Sequence, residues 1–213
     1  DSWRVLDTDG SYIDKQVYRD GGGLDQVLDL YRRVADLTSR FTLPRQRLVV
    51  WNGSPKDQNR VGEVLDNLKL AGRLNDPGVC VRSFDHVAVV RSMHKETRLG
   101  LLQLDRFLQE VPDSVVIAYV GMSNGAGPTL AANCMAPVIA VPATADKFPE
   151  DVWSSLRLPS NVAMATILDD RNAALFALRL LAMRNPGLYA ALRLKQEEHF
   201  VNVAYLDDDA VID

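Results

Sequence analysis

Between Arg47 and Pro186, short apolar runs and helix-period stripes alternate about five times, and this alternation limits the fold more than any other feature of the chain. The runs are Leu48–Trp51, a second beginning Val79-Cys80-Val81, Val115–Val120, Ala136–Val141 and Val162–Leu168. They are short and rich in β-branched residues, as buried strands are. Between them lie stripes at helical spacing. Val61, Val64, Leu65 and Leu68 form one; Leu101, Leu104 and Leu108 form another, in a helix opened by Ser92-Met93-His94-Lys95. Thr129–Asn133 reads as a short helix and Asp151–Leu156 as a helical turn. The segment Arg171–Met183 is apolar on nearly every side, so it is expected to be buried or shared with another subunit, and a final helix follows Pro186. Alternation of this kind calls for a parallel sheet with helices on both faces. The expected fold is α/β, a three-layer doubly wound sheet from about residue 46 onward.

Residues 1–45 read differently. Gly21-Gly22-Gly23 marks a break, and Leu24, Val27, Leu28, Tyr31, Val34 and Leu37 form a helical stripe. Thr42-Leu43-Pro44-Arg45 is the expected linker, since Pro44 disfavours helix at the residue before it. The chain of 213 residues thus divides into an appendage, 1–45, and one full-sized domain, 46–213. A net charge of −4 spread along the chain argues against a nucleic-acid footprint, so any anionic ligand has to be captured locally. Cys80 and Cys134 make no disulfide framework, no apolar stretch reaches membrane-spanning length, and no leader is visible; the expectation is a cytoplasmic protein with no membrane partner. The histidines and cysteines are too scattered to ligate a metal.

Three loops are expected to meet at the carboxyl edge of such a sheet. The most distinctive is Gly121-Met122-Ser123-Asn124-Gly125-Ala126-Gly127-Pro128, between the third strand and its helix. Its glycines imply a sharp turn and room for a ligand against backbone amides. The loop Asn52–Asp57 holds Gly53 for close approach, the Ser54 hydroxyl, the Lys56 charge and Asp57 as cap of the following helix and acceptor for ligand hydroxyls. A plain capped helix start explains the same residues. The third loop, Ser92–Lys95, offers His94 for proton transfer and Lys95 for a phosphate, although a surface histidine at a helix cap fits the residues equally. His86 and His199 read as structural or solvated.

Gly121-Met122-Ser123-Asn124-Gly125 also matches the G-x-S-x-G nucleophile elbow. A hydrolase of that type needs an acid and then a histidine after the serine, and His199, in a charged terminal segment, is the one histidine available. The pattern is therefore set aside.

Residues 46–213 resemble the AIR (5-aminoimidazole ribonucleotide) carboxylases of purine biosynthesis, in the class that uses carbon dioxide directly. The resemblance rests on Asp151–Ser160, on Ser123-Asn124-Gly125 with Gly127-Pro128, and on Asn133 with Pro137-Val138-Ile139 and Pro142. It also rests on Gly53-Ser54 with Asp57, and on Ser92 with His94-Lys95. Asp1–Arg4 and Asp14–Asp20 resemble the last motifs of SAICAR synthetase, which in animals is fused ahead of this carboxylase; no synthetase activity is expected of residues 1–45 alone. Met122 stands where the direct carboxylases carry arginine, Pro55-Lys56 replaces hydroxyl residues, and Asn161 replaces a glycine.

The resemblance implies a flavodoxin-like (Rossmann-like) fold, no cofactor and a homo-octamer. It implies substrate contacts from Gly53, Ser54, Asp57, Ser92, Lys95, Gly121, Ser123, Asn124 and Gly125, with His94, Lys95 and Ser123 catalytic. In that reading His94 is the base, Asp57 holds the ribose diol, and Ser123 and Asn124 bond the new carboxylate. Two alternatives stay open: a mutase acting on N5-carboxylated AIR, and a non-catalytic nucleotide-binding member of the same fold.

Overall fold

The computed structural model describes residues 5–6, 12–13, 29, 33, 45–68, 84–193 and 195–196. The stripe at 24–37 (apart from exposed Asp29 and Arg33, both helical), the segment 79–81, Cys80, His199 and the acidic tail lie outside the described residues. Near the start of the chain, β1 (Val5–Leu6) pairs antiparallel with β2 (Tyr12–Ile13).

The other strands among the described residues form one five-stranded sheet: β3 (Gln46–Asn52), β4 (Phe84–Val90), β5 (Asp113–Val120), β6 (Val138–Pro142) and β7 (Ala165–Thr166). Their order is β4-β3-β5-β6-β7, and every pairing is parallel. Parallel neighbours need crossovers, and helices α1 (Val61–Asn67), α2 (Thr97–Glu110), α3 (Ala126–Ala132), α4 (Val152–Leu156) and α5 (Asp170–Ala182) lie in the connections or follow the last strand. Residues 186–193 form a further helix.

Alternation along each strand sends side chains to two separate cores. Leu48 and Val50 of β3 and Ile117 of β5 face α1 and α5, where Val61, Val64, Leu65, Ala173, Ala177, Leu178 and Leu181 close over them. Val49, Trp51, Val116 and Ala118 face the opposite way, against Leu104 of α2 and Ala126 and Leu130 of α3. The three-layer, doubly wound arrangement read from the alternation is therefore present. Each large side chain so covered contributes roughly 1.5–3 kcal/mol, which makes the two sheet faces the main source of stability.

Three expected elements differ in extent. The helix opened by Ser92–Lys95 begins later, at Thr97, because residues 92–96 make a turn in which the Ser92 carbonyl accepts the Lys95 and Glu96 amides. The helix expected directly after Asp57 begins at Val61. Of the apolar run Val162–Leu168, Ala165–Thr166 alone joins the sheet, as its edge.

Candidate active site

Strands β3, β4 and β5 end in step. Asn52 is level with Val90 on one side and with Tyr119 on the other, so the loops that leave these strands start side by side. The chain moves from β3 outward to β4, then returns past β3 to β5, and a crevice opens at such a reversal of strand order. All three loops singled out in the sequence leave the sheet at this end of the strands.

In the loop after β3, the Asp57 amide donates to the Ser54 carbonyl (3.1 Å) and the Lys56 amide to Ser54 Oγ (3.0 Å), which makes a closed turn. A Cβ at residue 53 would stand 2.9 Å from Val120 Cγ1 and 3.3 Å from Asp57 Oδ2, so glycine is required where this loop passes the end of β5. Burial pushes the Asp57 carboxyl above the usual carboxylate range, and hydrogen bonds from the Ser54 and Gly53 amides offset part of that rise. The amides expected to cradle a ligand anion thus hold the loop's own carboxylate. Asp57 is not a helix cap: three residues separate it from α1.

Arg60 anchors the far end of this loop. Its amide donates to Asp170 Oδ2 (2.6 Å) and its guanidinium to Asp170 Oδ1 (3.0 and 2.6 Å), at the start of α5. Asp170 is 3% exposed. Tyr119 sits in the field of Asp170, Asp57 and Arg60, and its phenol is raised, chiefly by burial.

After β4, Met93 is buried against Gly100 and Trp51 and pins the turn, while His94 and Lys95, the two residues that follow it, are exposed. Thr97 Oγ1 donates to the Met93 carbonyl and joins this turn to α2. The His94 ring reaches the glycine loop. A Cβ at residue 125 would stand 2.6 Å from His94 Cε1 and 3.1 Å from Nε2, a space that glycine alone leaves open.

The glycine loop turns by other residues than its glycines. Met122 (φ 55°) and Ser123 (φ 70°) occupy the left-handed region, whereas Gly125 is right-handed helical in backbone. The amides expected to face a ligand are engaged within the protein. Met122 N donates to Thr144 Oγ1 (2.9 Å), Ser123 N to Asp151 Oδ1 (2.6 Å) and Asn124 N to Ser154 Oγ (2.8 Å). Asn124 is fully buried, its amide donating to Ser155 Oγ (2.9 Å) and its Oδ1 accepting from Gly127 N (2.9 Å). Its side chain therefore secures the loop instead of presenting groups to a ligand, which corrects the carboxylate contact expected of it. The same bonds dispose of the hydrolase reading, because the amide after the serine, which that chemistry needs for its oxyanion, belongs to Ser154.

Gly53, Ser54, Asp57, Ser92, His94, Lys95, Gly121, Ser123 and Gly125 thus stand on three adjoining loops, with His94 touching the third at Gly125. Exposed Ser123, His94 and Lys95 supply a hydroxyl, a titratable imidazole and a cation at one rim. Such a set can bind an anionic ligand and move a proton. Thr144, Asp151, Ser154 and Asp170 were given no role by the sequence. Asp151 and Ser154 lie in the segment that carries the family resemblance most fully, which was the available signal. Among the described residues no group of three histidine, cysteine or acidic side chains is arranged to hold a metal.

A family model described as AIR carboxylase matches residues 49–200. A probable multifunctional protein ADE2 of Caenorhabditis elegans is 34% identical over 212 residues, which is 95% of this chain and 48% of that protein. A bifunctional phosphoribosylaminoimidazole carboxylase/phosphoribosylaminoimidazole succinocarboxamide synthetase of Rattus norvegicus is 31% identical over 217 residues, 97% of this chain and 48% of that one. The chain spans about half the length of these curated relatives. The crystal structure of Treponema denticola PurE superposes with a TM-score of 0.67 at 22% identity, covering 79% of this chain and 100% of that one, and shows the same fold.

Proposed function

The chain belongs to the AIR carboxylase family, and from that premise we propose that it carboxylates 5-aminoimidazole ribonucleotide with carbon dioxide, giving the 4-carboxylated nucleotide of purine biosynthesis. The contact between the His94 ring and Gly125 carries this reading, because it brings a base to the loop that has to hold the second reactant.

The residue types suit the chemistry. A ribose phosphate is a dianion, and Lys95 with the Ser54 hydroxyl gives it a cation and a donor at the crevice edge. The Asp57 carboxylate is an acceptor for the ribose diol. The nucleophilic ring carbon attacks carbon dioxide, forming the carbon–carbon bond, and the proton on that carbon passes to His94, which restores the aromatic ring. Ser123 donates to the new carboxylate. Carbon dioxide has little binding energy of its own, so holding two reactants in one crevice supplies much of the acceleration. The reaction balances with no redox cofactor.

The carboxylase unit in this reading is residues 46–213, with 1–45 as an appendage, and the protein works in the cytoplasm. It assembles as a homo-octamer; exposed Met135, Trp153, Met183 and Tyr189 are surfaces that self-association would cover.

The test supplies AIR with bicarbonate and carbonic anhydrase, and separately the N5-carboxylated nucleotide. Turnover of AIR is expected. Turnover of the N5-carboxylated compound alone would make the protein a mutase. Nucleotide binding without turnover, unchanged by His94→Asn, would make it a binding protein. Lys95→Ala is expected to weaken binding of the nucleotide more than that of its unphosphorylated nucleoside.

A further inference from the structure

We propose that Asp151 is a positioning residue of this site: its carboxylate latches the glycine loop into the path that brings Ser123 and Gly125 to His94. Relevance to catalysis rests on the carboxylase reading above; the latch itself rests on geometry. Asp151 ends the single 3₁₀ turn Pro149–Asp151, between β6 and α4, well outside the loop it holds. Its Oδ1 accepts the Ser123 amide (2.6 Å) and its Oδ2 accepts Thr144 Oγ1–H (3.0 Å). Thr144 Oγ1 in turn accepts the Met122 amide (2.9 Å). Ser154 Oγ accepts the Asn124 amide (2.8 Å) and donates to the Asp151 carbonyl (2.6 Å). Of three consecutive amides, one therefore ends on the Asp151 carboxylate, one on the Thr144 hydroxyl that this carboxylate orients, and one on the Ser154 hydroxyl held by the Asp151 main-chain carbonyl.

The reason such a device is needed lies in the backbone. Met122 and Ser123 are successive non-glycine residues at positive φ, a conformation that L-residues leave unless the surroundings impose it. With its consecutive amides turned to one side, the loop forms a concavity suited to an anion. Here the Asp151 carboxylate takes the middle amide, Ser123 N, and two hydroxyls of the protein take the amides on either side. Because the amides point inward, the loop's outer side is left for Ser123, which is exposed, and for Gly125, which lies under the His94 ring. Asp151 reaches the chemistry only through the backbone it holds.

The variant Asp151→Asn keeps the shape of the side chain and one acceptor, but it presents an N–H₂ to Thr144 and removes the charge that strengthens the Ser123 bond. Hydrogen–deuterium exchange read by mass spectrometry over residues 121–125 of the full chain is expected to quicken roughly ten- to a hundredfold, the scale of one lost charge-assisted bond, with β3 and β5 unchanged. In steady-state assays kcat is expected to fall about tenfold or more, while KM for the nucleotide moves less than about threefold, since the phosphate-binding residues sit on other loops. The double variant Asp151→Asn with Met122→Gly is expected to recover part of kcat, because glycine adopts positive φ without a latch. Ser154→Ala gives an independent reading: faster exchange in the same peptide, by a smaller factor, since one of the three amides loses its acceptor. Unaltered exchange in Asp151→Asn, or a raised KM with kcat unchanged, would overturn the proposal. Absence of turnover by the unaltered chain would count against the carboxylase reading alone, and the exchange experiment would still judge the latch.

Discussion

At Gly125 a hydrogen stands where any other residue carries carbon, and the His94 ring fills the space. Gly125→Ala therefore displaces the imidazole, and kcat is expected to drop about tenfold or more with a small change in melting temperature, since both groups lie at the rim. If His94 is the base proposed above, His94→Asn, which leaves the turn around Met93 intact, is expected to lower kcat by roughly 10²–10⁴, the usual range for a lost general base, in assays on a variant whose thermal melt matches the parent. Asp57 sets a pH dependence. Burial raises its carboxyl, so the ionised form, which in the proposed reading accepts the ribose hydroxyls, is lost at a higher pH than for a free aspartate. KM for the nucleotide is thus expected to climb as pH falls through that raised value, and Asp57→Asn should abolish the climb, a comparison made by KM measurements across an acidic pH series.

Between elements, polar ties decide how the loops sit. Arg60 joins the end of the first loop to α5 through Asp170, which is buried while the guanidinium is half exposed. Removing the exposed partner leaves the buried charge behind, so Arg60→Ala is expected to lower the unfolding free energy. Asp170→Asn should cost less, and the double variant should be more stable than Arg60→Ala alone, as urea denaturation midpoints would reveal. At the opposite edge of the sheet, Arg47 pairs with Asp85 (2.8 Å) and Glu110 (3.1 Å), and Arg184 pairs with Asp113. Burial alone would raise the Asp85 and Asp113 carboxyls, but bonds from Arg47 and Arg45, and from Arg184 and Gln46, outweigh it and hold both below the ordinary range. A carboxyl lowered by folding stabilises the chain above its unfolded value, and that gain is lost as pH falls through the lowered one. Acid is therefore expected to loosen this edge, with Asp85→Asn flattening the decline of melting temperature below the ordinary carboxylate range.

Across the whole molecule, the exposed apolar groups lie partly on and just after α5, at Phe176 and Met183, a helix whose other side is sealed in the core. If the assembly proposed above covers them, Met183→Glu is expected to shift the chain toward smaller species in sedimentation velocity without changing its far-ultraviolet spectrum. The fold was legible because a period of burial is a local property: β-branched runs and stripes such as Val61, Val64, Leu65 and Leu68 name their own elements, and a parallel sheet follows from the alternation. Gathering three loops at one rim was legible for the same reason, since parallel strands all end at that side. The sequence by itself therefore determined the layers, the rim and the residues that stand there. Tertiary structure alone decided which groups remain free for a ligand. Amides 122–124 and the side chain of Asn124 look available in sequence, yet their partners lie about twenty to thirty residues downstream, at Thr144, Asp151, Ser154 and Ser155. Hydrogen bonds between such distant residues leave no periodic trace, and they exist only once the chain has closed on itself.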